Sequence, residues 1–272
     1  MADLPLDQII LGDNCEVLRT FPSESVDLVV TSPPYDSMRK YGGHSWDFHG
    51  VAEQLARVIK PGGVIVWNVA DETLDGGESG TSFRQALHFM DVCGLRLHDT
   101  MIWNKKGFRF PEANRYHQIF EYMFVFSKGS PATFNGIVDR PNSTAGQALG
   151  ASYRRDEDGK IAIDKADQDR GERRDIGLRM NIWEIQTGGS SAASEAVAFN
   201  HPAIFPEALP RDHIRTWSNE GEIVLDPFSG SGTTAEMARQ LGRRFIGIEV
   251  NPEYVEISRK RMAQQLLFGA EG

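Results

Sequence analysis

The stretch EIVLDPFSGSGTTAEMARQLGRRFIGIEVNPEYVE, residues 222–256, constrains the fold more than any other part of the chain. A short apolar run reaches Asp226-Pro227-Phe228 and gives way to a loop of Ser229, Gly230, Ser231 and Gly232. A helix starts near Thr233, and a second apolar run, 245–248, ends at Glu249. Strands linked through a helix lie parallel, and a helix crossover needs a sheet to pack on. Glycines let the backbone turn sharply and approach a ligand closely, and the helix start offers unpaired N–H groups.

The same alternation runs through the chain. Apolar runs predict strands over 8–11, 26–31, 64–69, 97–103, 119–126, 222–225 and 245–249. Helical spacing predicts helices over 48–59, 82–92, 233–241 and 252–267, with a turn at Lys60-Pro61-Gly62-Gly63 and Asn251 as an N-cap before Pro252. The expected class is α/β, a mostly parallel sheet with helices on both faces. Residues 131–180 break the pattern. They are rich in Arg, Asp, Gly and Ser and read as an insertion, with a solvated surface loop and a recognition element both open.

The 272 residues suffice for one large core. No apolar run approaches the roughly 20 residues of a membrane helix, and no basic region precedes an apolar core at the start. Cys15 and Cys93 form neither a disulfide framework nor a metal-ligand spacing. An intracellular, cytoplasmic protein with no membrane partner is expected. The net charge of −9 is unevenly spread: residues 1–90 hold six Lys/Arg against thirteen Asp/Glu, whereas 101–130 hold five against two. Further arginines cluster at 154–155, 170–174 and 179. A local basic face is compatible with this balance, because phosphate contacts depend on the local field.

For the glycine loop, a P-loop is excluded because Thr233-Thr234 stands where Lys-Ser/Thr is needed. Gly230-x-Gly232-x-x-Ala235 fits a relaxed dinucleotide fingerprint, yet only about forty residues follow, too few for such a fold to begin there. A loop for S-adenosylmethionine is the third reading. It places Asp226 toward the cationic amino-acid end and Glu249, nineteen residues past Gly230, toward the ribose.

A second motif stands near the amino end. In VVTSPPYDSM, residues 29–38, a buried run stops at Thr31-Ser32-Pro33-Pro34-Tyr35. The prolines contribute carbonyl acceptors and no N–H donors.

Together the two stretches resemble the amino-methyltransferases that modify exocyclic amines of DNA bases. Thr31-Ser32-Pro33-Pro34-Tyr35 is similar to their catalytic (Ser/Asp/Asn)-Pro-Pro-(Tyr/Phe) motif, and Asp226–Gly232 to their cofactor loop. The catalytic motif first and the cofactor loop last is the order of the circularly permuted β class. Ile10-Leu11-Gly12-Asp13 resembles the strand whose Asp approaches the cofactor adenine. His201-Pro202-Ala203-Ile204-Phe205-Pro206 resembles the segment that packs on the cofactor, and MIWNKKG at 101–107 and FVFSKG at 124–129 resemble catalytic-side strands. The resemblance implies a Rossmann-like methyltransferase fold, with catalytic half 1–130, putting target recognition in 131–180 and the cofactor half in 181–272. It further implies S-adenosyl-L-methionine as cofactor and double-stranded DNA as partner. A homodimer and a cognate restriction nuclease are further partners it allows.

An exocyclic amine is a poor nucleophile, because its lone pair is delocalised into the ring. Ser32 Oγ and the Pro33 carbonyl are suitable acceptors for its protons, stabilising the charge that develops on nitrogen. Pro34 stiffens the corner, and Tyr35 is placed to stack on a flipped base. The catalytic set is therefore Ser32, Pro33, Pro34 and Tyr35. The cofactor set is Asp13, Thr31, Ser32, Phe205, Asp226, Pro227, Phe228, Ser229, Gly230, Ser231, Gly232, Thr233, Glu249 and Val250. Arg39, Lys40, Lys105, Lys106, Arg109 and Arg115 are expected at DNA. No residue cluster suggests a metal, and cytosine C5 chemistry is disfavoured because neither cysteine follows a proline. In the family, Ser before Pro-Pro is commoner among cytosine-N4 enzymes, so Ser32 points to cytosine N4. Adenine N6 is the alternative, followed by RNA or a protein glutamine.

Overall fold

The computed structural model describes residues 4–34, 46–107, 114–146, 153–155, 160–163, 174–186 and 205–268. Its centre is an eight-stranded sheet. In chain order the strands are β1 (Gln8–Leu11), β2 (Val26–Thr31), β3 (Ile59–Val69), β4 (Arg96–Asn104), β5 (Phe120–Ser127), β6 (Ile182–Glu184), β7 (Ile223–Asp226) and β8 (Arg244–Glu249). Across the sheet they run β1-β8-β7-β2-β3-β5-β4-β6. All neighbours from β1 to β3 pair in parallel, as do β4 and β6, while β5 is antiparallel to both β3 and β4.

Among the described residues, six helices accompany the sheet: α1 (Asn14–Arg19), α2 (Phe48–Val58), α3 (Thr81–Asp91), α4 (Ala208–Trp217), α5 (Thr233–Gln240) and α6 (Pro252–Phe268). Successive strand residues point to opposite faces, so a strand buried on both sides feeds two cores. Val29, Ile65 and Trp67 join Leu18, Val51, Leu55 and Phe89, from α1, α2 and α3. Leu28, Val30, Val64 and Val66 join Leu209, Ile214, Met237 and Val255, from α4, α5 and α6. Burial on both faces explains why these strands read as unbroken apolar runs rather than alternating ones.

The expected turn at Lys60–Gly63 lies inside β3 as a bulge. Val26 pairs with Ile59 and Leu28 already with Val64, so residues 60–63 face only Asp27. Gly62 adopts φ +80° there, with Ala132 packed where a β-carbon would point. Two helices lacked a clear sequence signal. α1 has only six residues, and α4 carries Pro210 near its start, where a missing N–H is tolerated.

The chain divides into two compact units, Met1–Asn135 with Asn181–Gly272, and Gly136–Met180. Residues 131–135 belong to the first, since Ala132 N–H donates to Gly62 O and Asn135 N–H to Thr216 O. Within the second unit, Val138–Pro141 pairs antiparallel with Ile176–Leu178, and Tyr153–Arg155 with Ile161–Ile163. Arg179 Nε donates to both carboxylate oxygens of Asp139, at 3.2 and 3.0 Å, so this arginine is committed within its own ribbon.

Candidate active site

The chain leaves β2 for β3 in one direction across the sheet and β7 for β8 in the other, yet β2 and β7 are adjacent. Such a reversal opens a crevice beyond the carboxyl ends of the strands, where open α/β sheets place their ligands. Thr31 and Ser32-Pro33-Pro34 end β2 at this crevice, and Asp226 with its glycine loop ends β7. The two ends are tied directly: Thr31 Oγ1 donates to Asp226 Oδ1 at 2.7 Å, a buried bond between residues 195 apart in sequence.

Asp226 is 5% exposed, and its carboxylate also accepts the Phe228 N–H at 3.0 Å. Burial drives its pKa up to about 6, and the charge of Glu249 adds to this; hydrogen bonds from Thr31, Thr234 and the Phe228 N–H pull the other way. The loop is built into the core, with Ser229, Ser231, Thr233 and Thr234 all buried. Ser229 N–H donates to Ile248 O, and Ser229 Oγ is a buried hydroxyl without a partner among the described residues. Gly230 and Gly232 adopt φ of +50° and +80°, conformations that favour glycine. A β-carbon on Gly232 would lie 2.8 Å from Ser258 Cβ on α6.

Glu249, ending β8, accepts the Gly230 N–H at 2.8 Å and the Asn251 N–H at 2.9 Å. Val250 follows, 38% exposed. Asp13, just past the end of β1, caps α1 by accepting the Glu16 N–H at 2.9 Å. Its neighbour Asn14 is buried and donates to Pro227 O at 3.3 Å, joining the β1 end to the loop. Three adjacent strands thus bring carboxylates to one edge. This donor set suits a ligand with a cationic end and a hydroxylated sugar better than a pyrophosphate, and so fits S-adenosylmethionine. Phe228 follows in the loop, half-buried. Its ring packs edge-on against Trp46, 4.8 Å between centroids, within an aromatic group that includes Trp67. Phe205 is half-buried against the core of the α4–α6 face.

On the catalytic side, Pro33 is buried and Ser32 and Pro34 half-buried. Asn68 on β3 donates to Ser32 Oγ at 3.5 Å and to Glu121 Oε2 at 2.6 Å. Glu121, on β5 and 7% exposed, pairs with Lys105 at 2.6 Å, and that ammonium lies 5.5 Å from the Trp103 ring centroid. A polar line therefore runs from Ser32 through Asn68 and Glu121 to Lys105. Lys105, expected at DNA from the sequence, is paired in the structure with the buried Glu121 carboxylate. Lys106 pairs with Glu184 at 2.8 Å on the surface, and Arg115 bonds Thr73 Oγ1 at 3.3 Å and Gly76 O. Tyr35, Arg39, Lys40, Arg109 and His201–Ile204 lie outside the described residues.

Sequence reasoning missed Asn14, Asn68 and Glu121. The signal was present for the last two: a polar residue interrupting a continuous apolar run, VIVWNV and IFEYMFVF. In a strand buried on both faces such a residue must find a partner.

Comparison with known proteins agrees with this geometry. The family model described as DNA methylase (N6_N4_Mtase) matches residues 26–260. The orphan methyltransferase M.BamHII of Bacillus amyloliquefaciens is 48% identical over 245 residues, covering 89% of this chain and 91% of its own. The PvuII DNA methyltransferase, cytosine-N4-specific, superposes with a TM-score of 0.65 at 23% identity, over 92% of this chain and 84% of that one. A putative DNA modification methylase of Thermus thermophilus, solved in complex with S-adenosyl-L-methionine, gives a TM-score of 0.60 at 26% identity, over 94% and 95%. A crevice joining a Ser-Pro-Pro corner to a glycine loop, within a chain matched from 26 to 260, makes this protein a member of the N6/N4 DNA methylase family.

Proposed function

We propose that the protein transfers a methyl group from S-adenosyl-L-methionine to the N4 amine of a cytosine turned out of double-stranded DNA. The observation that carries the reading is the Thr31–Asp226 bond, which fixes the Ser-Pro-Pro corner and the glycine loop at one crevice. The cofactor supplies an electrophilic methyl on a sulfonium. Asp226 is assigned to its cationic amino-acid end, Glu249 to the ribose and Asp13 to the adenine side.

Ser32 Oγ and the Pro33 carbonyl accept hydrogen bonds from the target amine and draw its nitrogen toward tetrahedral geometry. Positive charge would grow on that nitrogen as its bond to the methyl forms and the methyl–sulfur bond breaks, leaving a neutral thioether, and the methylated amine would then release one proton to solvent. Asn68 holds Ser32 from behind, and Glu121, itself paired with Lys105, holds Asn68 in turn. Tyr35 is assigned to stack on the base, and Arg39, Lys40 and Arg109 to the DNA. The unit Gly136–Met180 is assigned to target recognition. Ser32 stands at the position where the resemblance expects Ser more often in cytosine-N4 enzymes and Asp or Asn in adenine-N6 enzymes, and so supports cytosine over adenine. A second copy of the chain and a cognate nuclease are partners to be sought by sedimentation and by co-purification.

Labelled methyl transfer to DNA tests the reading. Ser32→Ala should lower the transfer rate by about two orders of magnitude while cofactor affinity stays within about threefold of wild type. A wild-type protein that binds the cofactor but labels no DNA would sink the proposal.

A further inference from the structure

Among the described residues, Arg261 is the one arginine in the group of largest fully buried side chains, at 0% exposure, and nothing in the chemistry above uses it. Arginine is almost never fully buried without partners, and an apolar residue would fill the same space without desolvating a charge. Its partners lie on two other elements. Nη1 donates to Thr233 Oγ1 at 3.0 Å, and Nη2 to Glu207 Oε1 at 2.6 Å. Thr233 is the first residue of α5, directly after Gly232; Glu207 stands immediately before α4, two residues after Phe205.

The surrounding contacts point the same way. Ser258, Arg261 and Met262, one turn of α6, form the floor under the loop end. Ser258 leaves no room for a β-carbon on Gly232, and Met262 Cε would lie 3.6 Å from one. The next hydroxyl along α5, Thr234 Oγ1, reaches Val30 O at 3.4 Å, one residue before the Thr31 that holds Asp226. The first turn of α5 is therefore fixed from below by α6 and from the side by β2.

We propose that Arg261 is a positioning residue for the cofactor: from α6 it sets the glycine loop and the segment after Phe205 relative to each other. It touches neither substrate and acts through Thr233 and Glu207. This rests on the reading of 226–233 as the S-adenosylmethionine loop. The fork geometry of a guanidinium suits the task, since one planar group holds two acceptors at a fixed angle.

The test is a double-mutant cycle of Arg261→Met and Thr233→Val, read by calorimetric S-adenosylmethionine affinity, by transfer rate at saturating cofactor, and by melting temperature. Arg261→Met should weaken affinity at least about tenfold and leave the saturated rate within about threefold. In the double variant the two losses should not multiply. If Arg261→Met does not fold, Glu207→Gln with Thr233→Val carries the same cycle with the arginine in place. Unchanged affinity with a lowered melting temperature, multiplying losses, or affinity and saturated rate falling together would overturn the proposal. Failure of wild type to bind S-adenosylmethionine would instead overturn the reading of the loop.

Discussion

Asp226 meets two opposing demands at the residue scale. Folding buries its carboxyl, which raises the pKa from the ordinary 3.8 to about 6, and holding a cationic ligand needs the ionised form. The sign follows from linkage. A carboxyl whose folded pKa is raised destabilises the ligand-free protein as pH rises from about 4 through 6, because the unfolded chain ionises first. Asp226→Asn keeps acceptors for Thr31 and the Phe228 N–H, and should stabilise the ligand-free protein at about pH 8 by on the order of 2 kcal/mol. The same substitution should weaken cofactor binding. In wild type the cofactor dissociation constant should rise about tenfold between about pH 7 and pH 5, as the carboxylate is protonated. Titration calorimetry across that range, with chemical denaturation at the alkaline end, checks both; an Asn variant with an unaltered pH profile would show that another group titrates.

The strand-to-loop-to-helix unit from β7 through α5 is where the sequence was most readable at the scale of elements. Gly230 and Gly232 take there the left-handed backbone that glycine favours, at φ +50° and +80°. The loop's burial was not readable, because it depends on Ser258 of α6 pressing on Gly232. Gly232→Ala should therefore destabilise the fold by on the order of 2 kcal/mol, combining a left-handed backbone with a 2.8 Å contact. Urea unfolding would measure it, and a loss under about 0.5 kcal/mol would mean that α6 yields easily. β5 shows the converse limit. Its apolar run marked a strand, but periodicity carries no direction, and only its antiparallel register places Glu121 against Trp103 and within reach of Lys105. Charge clustering singles out Lys105 in the sequence, but its ion-pair partner comes from another strand and has no local signal.

For the whole molecule, motif order was legible because each motif is local, and the sheet order then brings the ends of β2 and β7 together. Residues 131–180 were legible only as a break in pattern. Composition reports the lack of a core there and nothing of the two ribbons or of the Arg179–Asp139 pairing. Replacing Gly136–Met180 with a short Gly-Ser linker should leave S-adenosylmethionine affinity within about threefold while abolishing preference among DNA sequences. Retained preference would move recognition to the other unit. The central claim concerns which amine the Ser32 corner addresses. Unmodified DNA incubated with the protein and S-adenosylmethionine, digested to nucleosides and resolved by mass spectrometry, tests it most directly. The expected product is N4-methylcytosine, and N6-methyladenine would contradict the assignment.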